Sequence, residues 1–116
     1  MRISWWVDIA RDGACDPRDL ARRALHRIAG LYGPAAAREV AGHLMTEVAQ
    51  AARDTILANG RRATDPRAGV AVYRHGNGWW VAGPTITPER YALYGQACRR
   101  AKDLAALVEG GHWGAA

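Results

Sequence analysis

The 116 residues contain no phenylalanine, so the aromatic bulk of any core must come from five tryptophans and four tyrosines. Cysteine is almost as scarce. Cys15 and Cys98 are the only two, too few for the disulfide framework of a small secreted module, and a reduced, intracellular setting is the expectation. No apolar run approaches the eighteen or so residues needed to span a bilayer, and Met1 to Trp5 lacks a signal-peptide apolar region; neither a membrane partner nor export is expected. Internal repeats and low-complexity tracts are absent as well. Lysine occurs once, so fifteen of the sixteen basic side chains are arginine.

What remains is the composition of one soluble domain, 49% apolar and 23% charged, large enough for a modest core and too small for two. The formal net charge is +5, and it is unevenly spread. Residues 1–58 hold eight basic and seven acidic side chains, and residues 59–116 hold eight and four. The positive field therefore belongs to the C-terminal half, and it suits nucleic acid or an acidic protein surface.

Catalytic chemistry finds little support. His26, His43, His75 and His112 are scattered, with no His-x-x-x-His or Cys-x-x-Cys pair to preorganise a metal. Cys98 stands mid-helix between Ala97 and Arg99, where a cysteine acts more often as a small core residue than as a nucleophile. Asp8 and Glu109 are carboxylates that nothing in the sequence brings together. Gly76-Asn77-Gly78 is a turn without the following helix that a phosphate loop requires. No enzyme activity, cofactor or metal is expected.

Ile3, Trp5, Val7 and Ile9 alternate with Ser4, Trp6, Asp8 and Ala10, the period-2 signature of a strand with Trp6 on its mixed face. Asp16-Pro17-Arg18-Asp19 then supplies an N-cap, a proline at the first helical position and an acid in the first turn. A helix from Pro17 carries Leu20, Ala24, Ile28 and Leu31 on one stripe and stops at Gly33-Pro34. The next helix, Pro34 to about Ala58, repeats Val40, Leu44, Val48, Ala52 and Ile56 every four residues, and Asn59-Gly60 reads as a left-handed stop. Residues 61–69 form a basic connector punctuated by glycine and proline, expected to be mobile until bound.

Two strand-like runs flank Asn77-Gly78 within residues 70–83, a hairpin signal that pairs His75 with Trp80 and Arg74 with Val81. One hairpin face then carries Tyr73, His75 and Trp80, and the other Val72, Arg74, Trp79 and Val81. The second face suits a core. The first reads as a contact patch, since aromatic residues with polar tips favour interfaces. Thr87-Pro88 opens a last helix, residues 87–109, and the tail 110–116 carries Trp113, an aromatic expected to dock. The fold class expected is α+β: an N-terminal strand, two helices of which the second is long, the hairpin and a C-terminal helix. The helices are expected to pack on one face of a small antiparallel sheet, leaving Trp6, Tyr73, His75, Trp80 and Trp113 as interface candidates.

Arg61, Arg62, Arg67 and Arg74 lie in or near the connector and hairpin, with Tyr73 and Trp80 between them, a mixture suited to phosphate contacts and base stacking. Val72 to Val81 resembles the first hairpin of the arm-binding domains that precede tyrosine recombinases, although no third strand is read after it. A small DNA-binding protein is the alternative function expected from these residues.

The order of elements resembles the small neck proteins of tailed bacteriophages, the head-to-tail connector and tail-completion subunits. Pro66 and Gly69 stand where those proteins place a proline and a glycine before their hairpin, with Ala68 in place of the usual threonine. Ala106 to His112 resembles their valine-glutamate-x-glycine segment. That resemblance implies a structural virion protein that assembles in the bacterial host cytoplasm. Its partners would be copies of itself in a ring and neighbouring virion proteins, with possible contact to DNA.

Overall fold

The computed structural model describes residues 3–12 and 15–111. The class is α+β, with helices α1 (Ile3–Asp12), α2 (Pro17–Tyr32), α3 (Pro34–Asn59) and α4 (Tyr94–Glu109). Strands β1 (Arg61–Arg62), β2 (Ala71–His75), β3 (Gly78–Gly83) and β4 (Ile86–Tyr91) form one antiparallel sheet in sequence order.

The N-terminal segment is a helix rather than the strand its alternation suggests. Six of its ten residues are apolar, and Trp6, Val7 and Ala10 also fall at helical spacing, so both periods fit and tertiary packing selects the helical one. Trp6, Val7 and Ala10 turn onto α2 and α3, where they meet Leu20, Ala24, Ile28, Leu44 and Val48. Trp6 is thus a core residue, and its neighbour Trp5 is the exposed indole, edge-on to Trp6 with centroids 4.5 Å apart.

Helices α2 and α3 begin where their caps place them. The Asp16 carboxylate accepts from the Arg18 amide at 2.8 Å, and Pro17 and Pro34 occupy first-turn positions. Gly60 is not the left-handed stop expected; it is extended at φ −71. Its need for glycine is steric, since a Cβ there would lie 2.5 Å from the Ile56 carbonyl oxygen.

The connector carries regular structure. Arg61 and Arg62 join the sheet, and Ala63 continues the ladder by donating its amide to Val72. Arg67 and Val70 exchange both backbone hydrogen bonds around Ala68 (φ +52) and Gly69 (φ +80), a two-residue loop with both central residues left-handed.

The hairpin forms, with a different register. Its loop is Gly76-Asn77, with Gly76 at φ +58, and the ladder pairs His75 with Gly78, Arg74 with Trp79 and Tyr73 with Trp80. Gly78 belongs to the strand, and the Arg90 side chain packs across it where a Cβ would stand. A displacement of two residues preserves the faces, so Tyr73 and Trp80 still share one and Val72, Arg74, Trp79 and Val81 the other.

Thr87-Pro88-Glu89-Arg90 lies in strand β4 rather than starting a helix. The register slips between Val81 and Gly83, so Thr87 and Pro88 together stand opposite Ala82. Proline is tolerated at such a bulge on an edge strand because it has no amide to leave unpaired. Two residues on, the Arg90 amide donates to the Asp16 carboxylate at 2.9 Å, which closes part of that edge.

Helices cover both faces of the sheet, not one. Helix α4 buries Val70, Val72, Val81 and Ile86 under Ala97, Ala101 and Leu104. Helix α3, at about 1.5 Å per residue, is long enough to leave the helical core and place Ile56 over Trp80 and Ala82. Trp80 is completely buried and is no contact patch.

Candidate nucleic-acid interface

Strand register lines up one residue from each strand across the sheet. Arg61 of β1 stands opposite Arg74 of β2, Arg74 opposite Trp79 of β3, and Trp79 opposite Tyr91 of β4. Directly paired residues project to the same side, so these four side chains form one transverse row on the α4 face. Tyr94, the first residue of α4, closes the row over Trp79 with ring centroids 4.7 Å apart.

The two ends of the row differ electrostatically. At the β1 end, Arg61 and Arg74 are both exposed, and neither forms an ion pair among the described residues. Like charges directly opposite across a ladder are destabilising. Arg74 finds partial relief over the Trp79 ring, with its guanidinium carbon 4.7 Å from the centroid. Arg62, also exposed and unpaired by any described acid, projects to the other face opposite Tyr73.

At the β4 end the charges are neutralised. Glu89, almost wholly buried, accepts from Arg100 at 2.9 Å and 3.2 Å and from the Tyr91 hydroxyl at 2.6 Å, with Arg18 3.2 Å away. Burial alone would raise the Glu89 pKa, but the Arg100 and Tyr91 hydrogen bonds and the nearby guanidinium charges hold it below the usual carboxylate value. Tyr91 is pushed up to about 12, first by burial and then by its bond to the Glu89 carboxylate. This joint binds α2, β4 and α4 together and fixes Tyr91 in the row. Tyr94 is also raised, through its hydrogen bond to Cys98 one turn along α4.

Of the interface candidates, Trp6 and Trp80 are buried, and Tyr73 packs half-buried against Trp80. His75 is half-buried at the strand end, and Trp113 lies outside the described residues. Of the nucleic-acid candidates, Arg61 and Arg74 come together, whereas Arg67 is held in a bidentate pair with Glu109 at 2.8 Å and 2.7 Å. Trp79, Tyr91 and Tyr94 belong to the site, although their sequence pattern alone places them in the core or on a helix. The signal for them was Arg74 itself, a charge on an otherwise apolar strand face.

Catalytic alternatives gain nothing from the geometry. Cys98 is half-buried and lines a cavity of about 230 Å³ with Asp65, Val72 and Lys102. Among the described residues no group of three or more His, Cys, Asp or Glu side chains converges. No described helix is long and apolar enough to cross a membrane. No family model, curated protein or solved structure matches this chain.

Proposed function

We propose that this protein binds nucleic acid through the transverse row Arg61, Arg74, Trp79 and Tyr94. The observation that carries the reading is the pairing of Arg61 with Arg74, two like charges set directly opposite with no acid among the described residues to join them. Breaks of a local rule of stability are expected at functional or strained sites. A phosphate between the two guanidiniums would relieve this one, and the adjoining indole and phenol offer surfaces on which bases stack. A third strand and a helix follow the hairpin, in β4 and α4, while the long helical part before it does not belong to the recombinase arm-binding module.

The test is the salt dependence of binding to a labelled oligonucleotide. Affinity should fall steeply with salt, and Arg61→Ala and Arg74→Ala should each lower the slope of log K against log[salt] by about 0.7 to 0.9. Arg23→Ala, on the exposed side of α2, serves as the control. Salt-independent binding, or equal effects of all three substitutions, would contradict the reading.

A second reading, a non-enzymatic phage head-to-tail connector or tail-completion subunit, rests on the long helix, tight Ala68-Gly69 turn and hairpin in succession. Leu31 and Tyr32, each 59% exposed at the α2–α3 corner, favour it as assembly contacts. Under this reading the solution mass is that of a ring, and Leu31→Asp reduces it to a monomer; a wild-type mass that is monomeric both alone and with neck components counts against it. Neither reading assigns the chain a catalytic role.

A further inference from the structure

The sheet lies between two helices, with α3 over Trp80 on one side and α4 over Val72 and Val81 on the other. Each layer adds about 10 Å, so the sandwich exceeds the ~12 Å width of a major groove and the strands cannot enter one. The row at the end of the sheet next to the Gly76-Asn77 loop stays open. There Trp79 is half-exposed, with the Arg74 guanidinium above it and Tyr94 tilted at 58° beside it.

We infer that the nucleic acid taken by this row is single-stranded; the inference rests on the nucleic-acid reading and narrows it. A duplex offers Arg61 and Arg74 its phosphates, but its bases are stacked inside the helix and cannot reach an indole. A single strand offers both. One phosphate draws Arg74 toward Arg61, the guanidinium leaves the Trp79 face, and an unpaired base takes its place, with Tyr94 at its edge. The row spans about 14 Å from β1 to β4, enough for a short run of nucleotides and not for a groove-length contact.

The experiment compares a fluorescein-labelled twelve-nucleotide DNA strand with the same sequence as a duplex, at one salt concentration, by anisotropy and by tryptophan emission. The single strand should bind about tenfold or more tightly than the duplex, with a change in tryptophan emission. Trp79→Ala should weaken the single strand about tenfold or more and leave the duplex unchanged, since a stacked base is lost and no phosphate contact is. Trp79→Tyr should restore most of the binding. Because Trp79 also touches the α4 core, thermal melting of each variant is recorded, and Tyr94→Ala, at the exposed start of the helix, provides a second, smaller loss of single-strand affinity. Equal affinity for strand and duplex, or equal weakening of both by Trp79→Ala in a folded protein, overturns the single-strand inference and leaves nucleic-acid binding in place. Absence of binding to either probe at low salt overturns the reading beneath it.

Discussion

Arg61 faces Arg74 across the β1–β2 ladder, and the second arginine lies over the ring of Trp79. The arrangement links three strands by charge and aromatic contact at an exposed end of the α4 face. It also explains why the connector is built into the sheet. A two-residue strand contributes almost nothing to the core, but it holds Arg61 in register with Arg74.

Trp80 and Trp5, one buried and one exposed, should respond differently to truncation. Trp80→Ala should cost about 3 to 5 kcal/mol as a core truncation, measured by denaturant unfolding. Trp80→Phe should cost less, because the Trp80 Nε1 is buried without a hydrogen-bond partner among the described residues and its removal strands no acceptor. Trp5→Ala, at an exposed site with one aromatic contact, should cost no more than about 1.5 kcal/mol.

Acid should loosen the joint between α2, β4 and α4. The folded pKa of Glu89 lies below its ordinary value of 4.5, so its stabilising charge is fully present above that value and is lost as pH falls through the folded one. The unfolding free energy should therefore fall below about pH 4.5, and Glu89→Gln should flatten that fall. At neutral pH the same substitution should cost on the order of 2 kcal/mol, since Arg100 and Arg18 lose a buried counter-charge and one of its two acceptor oxygens while remaining partly solvated.

Ala68 should be improvable. At φ +52 it occupies the left-handed region, which costs a non-glycine residue about 1 kcal/mol, and Asn-Gly is the favoured pair for a loop of this kind. Ala68→Asn should raise the melting temperature without altering oligonucleotide affinity.

Arg67 should matter less for binding than Arg61. Glu109 neutralises it across the surface, with the Glu109 pKa held below the ordinary value by the Arg67 hydrogen bond. Arg67→Ala should therefore weaken oligonucleotide binding less than Arg61→Ala, and Glu109→Gln, which frees the guanidinium, should strengthen it.

The helical pair was legible from local chemistry, because Asp16, Pro17, Gly33 and Pro34 mark ends that need no knowledge of the rest of the chain. The division of the hairpin faces was legible for a similar reason, since parity survives an error of two residues. The register itself was not, because Gly76-Asn77-Gly78 offers two overlapping two-residue loops, and Arg90, which packs over Gly78, comes from a strand the sequence does not signal. Thr87-Pro88 carries the local signature of a helix start, and only the bulge opposite Ala82 turns it into a strand. The site was half visible. Arg61 and Arg74 could be named as basic candidates, but their opposition comes from a strand too short to leave a pattern. The pairing of Arg67 with Glu109 joins residues 42 positions apart.

The most direct test of the account is Arg61→Gln measured twice, for stability and for binding. Relief of the like-charge pair should raise the unfolding free energy by about 0.2 to 1 kcal/mol, while affinity for a single-stranded oligonucleotide falls and the salt slope drops by about 0.7. A variant that is less stable than the parent, or that binds as tightly with an unchanged slope, would contradict the claim that Arg61 and Arg74 are set opposite each other to hold a phosphate.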